Sequence, residues 1–146
     1  MITPSRFSYG SATMGASITH QLAYLPVILS NSGRSVTVMG LLDTGSTVNV
    51  LPYAVGLQLG LVWEEQTTQV QLTGTLARLP ARGVILLGKV ETLSPVDLAF
   101  AWTQSEEVPV LLGQINFFME FDVCFFRSES VFEVAARNTL RTATVS

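Results

Sequence analysis

The chain has 146 residues, 48% of them hydrophobic and 13% charged, with a formal net charge of -3. That is a one-domain length with enough apolar material for a sizeable core and an interface beyond it, which excludes a disordered chain. The eight Lys and Arg residues are dispersed, so no footprint for nucleic acid exists; no basic-then-apolar leader or membrane-length apolar run occurs, which implies no membrane partner and a soluble, cytoplasmic protein.

In chain order the signals are mainly β. Segment 1–21 carries no strong pattern and is taken either as part of a dimer sheet or as flexible. Leu22 to Leu29 is apolar, Asn31-Ser32-Gly33-Arg34 reads as a hairpin turn, and Ser35 to Leu42 resumes with β-branched residues, which puts Asp43 at a strand end. Thr47 to Leu51 is the next strand. Pro52 ends it and suits the first turn of a short helix from Tyr53 to about Gly60, a helix stop. Thr67 to Leu72 and Ala81 to Leu87 read as the arms of a hairpin around Thr73-Gly74-Thr75-Leu76-Ala77. Val96 to Trp102 is a strand, and Val108 to Leu112 a short buried one stopped by Gly113. Gln114 to Met119 reads as a helical turn, Val123 to Phe126 and Val131 to Val134 as closing strands, and 135–146 as a polar, flexible tail. Regular strand spacing with one or two short helices predicts an all-β domain over 22–134, a closed or nearly closed β-barrel.

Within this pattern Asp43-Thr44-Gly45-Ser46 is the anomaly, an acid on a Gly-supported turn between two apolar strands. The tripeptide alone is also an ordinary turn. One good chemical reason for an acid there is a pair of aspartates sharing one proton. Two carboxylates about 3 Å apart cannot both ionise, so the pair holds a base and an acid around one water. Gly45 permits close backbone approach or positive φ, and Ser46 can donate to the outer carboxylate oxygen, which favours an acidic optimum. Among the three aspartates, Asp97 precedes Leu98-Ala99 and Asp122 precedes Val123-Cys124, so neither supplies a second such turn. A dyad then requires a second copy across a two-fold axis.

Around this turn lie the apolar strand with Pro52, the Gly-containing hairpin Gln71-Leu72-Thr73-Gly74-Thr75-Leu76, and Val110-Leu111-Leu112-Gly113-Gln114-Ile115-Asn116-Phe117-Phe118. In that order the chain resembles the single-domain retropepsin-like (retroviral-type) aspartic peptidases. The resemblance implies a closed acid-protease barrel acting as a homodimer on a peptide or protein substrate. Asp43 would be the catalytic residue of each protomer, Thr44 would lock the two active-site loops together, and Gly45 would lie beneath the substrate backbone. Thr73, Gly74, Thr75 and Leu76 would form the flap tip over the substrate; a plain surface hairpin is the alternative. Ser46, Val48, Val50, Leu111 and Leu112 would complete the substrate-binding walls, and Gly113 would let its strand pass close under the active-site loop.

Departures from the viral pattern are coupled. Thr47 and Gln114 stand where many viral members carry an acid and an Arg that form an ion pair, and a neutral hydrogen bond can replace that pair because no charge is left stranded. The remaining reactive types are sparse. His20 has no nucleophile motif, Cys124 cannot close an intramolecular disulfide and reads as a small buried hydrophobe, and one His with one Cys gives no metal spacing. No cofactor or metal is therefore expected. The expected function is an aspartic endopeptidase; the alternative is a catalytically silent module that binds peptides or dimerises on the same barrel.

Overall fold

The computed structural model describes residues 3–14 and 18–140. Its strands are β1 (Ser5–Ser8), β2 (Gly10–Met14), β3 (Ile18–Leu22), β4 (Tyr24–Asn31), β5 (Arg34–Leu42), β6 (Asn49–Leu51), β7 (Gln69–Val70), β8 (Ala81–Lys89), β9 (Val96–Thr103), β10 (Leu111–Leu112), β11 (Phe121–Phe126) and β12 (Val131–Ala136). Two short helices, α1 (Tyr53–Gln58) and α2 (Phe117–Glu120), interrupt them.

Strands β4, β5, β10, β6, β9 and β8 follow one another in a sheet that closes where Leu29 of β4 pairs with Gly88 of β8, giving a six-stranded barrel. Closure leaves none of these strands with two free edges. Alternation drives it. Leu25, Val27 and Leu29 of β4, Leu86 of β8, and Leu98, Phe100 and Trp102 of β9 point inward and are buried. The β4–β5 hairpin turns through Ser32 (φ 46°) and Gly33 (φ 83°), the paired left-handed conformations of a type I′ turn. Gly60, at φ 78°, ends the α1 segment as the sequence suggests.

Two expected strands are shorter than their composition implies. The arm expected over Thr67 to Leu72 is a strand only at Gln69–Val70, because beyond Val70 the chain closes on itself, with Gln71 Nε2 donating to Leu72 O and Ala77 O. The Val108 to Leu112 strand is reduced to Leu111–Leu112 behind Pro109, which has no N–H to give a ladder, although Val108 and Val110 are buried.

Outside the barrel, β12 lies between β1 and β11 in a three-stranded antiparallel sheet. Phe132, stacked on Phe7 at 5.3 Å, and Val134 are fully buried there. Phe132-Glu133-Val134 is hydrogen-bonded on both sides and cannot add a partner strand; the free edges of this sheet are β1 and β11. The tail expected as flexible begins inside β12, since Ala135 is buried and the Leu140 N–H donates to Asp122 Oδ2 at 3.0 Å; residues 141–146 lie outside the described residues. Among the described residues no helix is long and apolar enough to cross a membrane.

Candidate active site

Asp43 follows the last residue of β5, and its N–H donates to Leu112 O of β10 at 3.0 Å. The turn closes where the Ser46 N–H donates to Asp43 O (3.1 Å), and the Gly45 N–H donates to the Asp43 carboxylate at 3.0 Å. Gly45 does not use positive φ. Its role is close approach, since a Cβ there would lie 3.3 Å from that same carboxylate oxygen. Asp43 is half-buried, while Thr44 and Gly45 are exposed on the protomer surface. The Ser46 hydroxyl does not donate to Asp43 as its position suggested; it donates to Val48 O at 2.6 Å and stiffens the exit from the turn.

The segment after β10 holds this loop from below. Gln114 N–H donates to Ser46 O and Ile115 N–H to Thr47 O, both at 2.9 Å, and Val48 forms a bridge with Ile115. Gln114 Nε2 donates to Thr44 O at 2.7 Å, a neutral hydrogen bond. Gly113 has to be glycine. A Cβ there would lie 2.5 Å from Val48 O and 2.7 Å from Ser46 O, both backbone atoms that cannot step aside.

Asn49 and Asn116 are the residues that sequence reasoning missed. Asn49 is fully buried; its Oδ1 accepts from the Gly113 N–H (2.7 Å), and its Nδ2 donates to Ala99 O (2.9 Å) and to Asn116 Oδ1 (3.2 Å). Asn116 Oδ1 also accepts from the Ala99 N–H (3.0 Å), and Asn116 Nδ2 donates to Asp97 O (2.8 Å). The pair ties β6, β9 and the Gly113 turn together with its buried polar groups satisfied. A polar residue within Val48–Leu51 was the available signal, because a buried amide in a strand needs partners.

The walls divide by face. Leu41, Leu111, Val50 and Ala101 are cross-strand partners in register over β5, β10, β6 and β9, and Gly83 of β8 continues the row. Leu41 shares its face with Asp43, two residues on, so this row forms an apolar floor beside the carboxylate. Leu112, expected as a pocket wall, faces the other way; it is fully buried in the barrel against Gly40, where a Cβ would come within 2.6 Å of it. Thr73, Gly74 and Thr75 are exposed in a 3₁₀ turn that spans Gly74–Leu76, and Leu76 is half-buried against the floor together with Leu72 and Leu79. Beyond Ala101 the floor opens into a groove of about 300 Å³ lined by Val48, Val70, Gly83, Ile85, Ala99 and Ile115. No group of three or more His, Cys, Asp or Glu residues suited to a metal ion occurs among the described residues.

A retropepsin-like aspartic protease from Rickettsia conorii superposes with a TM-score of 0.62, at 13% identity over 93% of this chain and 97% of that one. The EIAV protease, in complex with the inhibitor HBY-793, matches at 18% identity over 70% of this chain and 88% of that one, with a TM-score of 0.46. No protein-family model and no curated protein matches the sequence. The closed barrel, the turn after β5 and the likeness to the rickettsial structure together make this a chain with the retropepsin-like fold.

Proposed function

We propose that the protein is an aspartic endopeptidase that acts as a homodimer. Asp43 of each protomer faces its symmetry mate, the pair shares one proton, and the ionised member activates water while the protonated member donates to the scissile carbonyl. The observation that carries this reading is the half-buried Asp43 carboxylate, held by the Gly45 N–H at 3.0 Å beside an apolar floor. Thr44, exposed beside it, is available to the partner's loop. The open edge of β11, Phe121-Asp122-Val123-Cys124-Phe125-Phe126, supports association, because a long apolar strand edge invites pairing. Substrate is an extended peptide lying on the floor beneath the flap, and the optimum lies below neutral pH.

The second reading is a catalytically silent peptide-binding or dimerisation module on the same fold. It is favoured by the Ser46 hydroxyl, which is committed to Val48 O and leaves the carboxylate with the Gly45 N–H as its partner within the turn. Cleavage of a diverse peptide library by the wild type beside Asp43→Asn separates the two. Cleavage by the wild type that the substitution abolishes supports the peptidase; a folded dimer that cuts nothing supports the module.

A further inference from the structure

The floor beside Asp43 is already occupied. Leu72 is buried, with 3% of its surface exposed, and the half-buried Leu76 and Leu79 pack with it against the cluster that contains Leu41, Val50, Ala101 and Leu111. All three leucines belong to the flap. Its backbone is joined to the barrel by two rungs, Gln69 with Arg82 and Val70 with Ala81. Beyond those rungs its hydrogen bonds turn inward. Gln71 Nε2 donates to Leu72 O and Ala77 O, each at 3.0 Å, the Ala77 N–H donates to Gly74 O, and the Leu79 N–H to Leu76 O. Segment 71–80 is thus a self-closed loop, and what seats it on the floor is leucine packing.

We propose that this segment is an autoinhibitory plug. In the resting protomer Leu72, Leu76 and Leu79 hold the floor positions that apolar side chains of a substrate take, and substrate binds when the loop lifts about Val70 and Ala81. This rests on the floor being the substrate site of the proposed peptidase. A plug competes with substrate through its leucines, whereas a flap that only covers bound substrate gains affinity through them, so removing one leucine has opposite effects in the two cases. With about ten closed molecules to one open, apparent affinity is weakened about tenfold.

The test is Leu76→Ser in the full chain, read by amide hydrogen exchange and by peptide cleavage. Leu76 is only half-buried, and unchanged exchange in β8 and β9 establishes that the variant is folded. The plug predicts that exchange over 71–80 accelerates and that KM falls, each by up to about tenfold. Unchanged exchange over 71–80, or a higher KM, overturns it. If the wild type cleaves nothing, the proposed function fails and the plug falls with it; a wild type that cleaves, with unchanged exchange over 71–80 in Leu76→Ser, removes the plug alone.

Discussion

Asn49 Oδ1 accepts the Gly113 N–H at 2.7 Å, joining the strand that leaves the Asp43 turn to the glycine on which that turn rests. The bond is buried, and the same side chain also holds Ala99 and Asn116. Asn49→Ala strands the Gly113 N–H, Ala99 O and part of Asn116 away from water. The expected loss is about 3 kcal/mol of stability, measured by urea unfolding with an unchanged slope. A loss below ~0.5 kcal/mol would show that water or a repacked neighbour replaces the amide.

Two glycines in the site separate close approach from backbone conformation. Gly113→Ala drives a Cβ into Val48 O and Ser46 O, so the turn bearing Asp43 must move, at about 3 kcal/mol or more. Gly74→Ala meets no atom within 4 Å but must keep φ near +65°, which costs about 1 kcal/mol. Thermal unfolding of both variants checks the order. Equal losses would contradict the assignment of Gly113 to close approach.

Gln114→Ala removes the hydrogen bond to Thr44 O at the protomer surface. Monomer stability is expected to fall by only about 1 kcal/mol. The larger effect is expected on association and on specific activity at low protein concentration, measured by sedimentation and by cleavage across a dilution series. Retained activity at every dilution would separate Gln114 from the dimer contact.

Under the proposed mechanism one proton on the Asp43 pair is required for cleavage. The sign follows from that: activity declines as pH rises and the shared proton leaves, and declines again in strong acid when both carboxylates are protonated. A pH profile of kcat/KM is expected to be bell-shaped with its maximum below neutral, and specific activity to fall on dilution. An alkaline maximum, or dilution-independent activity across the dissociation range, would contradict a shared-proton dimer.

The position of Asp43 at the end of a strand, the turn at Ser32-Gly33 and the helix after Pro52 follow from local rules that the sequence states directly. They depend on alternation, on φ preferences and on residues within a few positions of one another. The length of the strand at Gln69–Val70 was less legible, because the Gln71 side-chain bonds to Leu72 O and Ala77 O exist only once the loop has folded on itself. Alternation requires Leu111 and Leu112 to face opposite ways but does not say which one faces the carboxylate. The parallel register of Leu111 with Leu41 decides that. The same holds for Asn49 and Asn116, separated by 67 positions, and for the flap leucines seated on the floor. Local sequence determined most of the strands and turns between 22 and 134, and tertiary structure decided their lengths, the pairing of β1 with β12 and which faces meet, because pairing between distant segments is set by the packing of the whole domain.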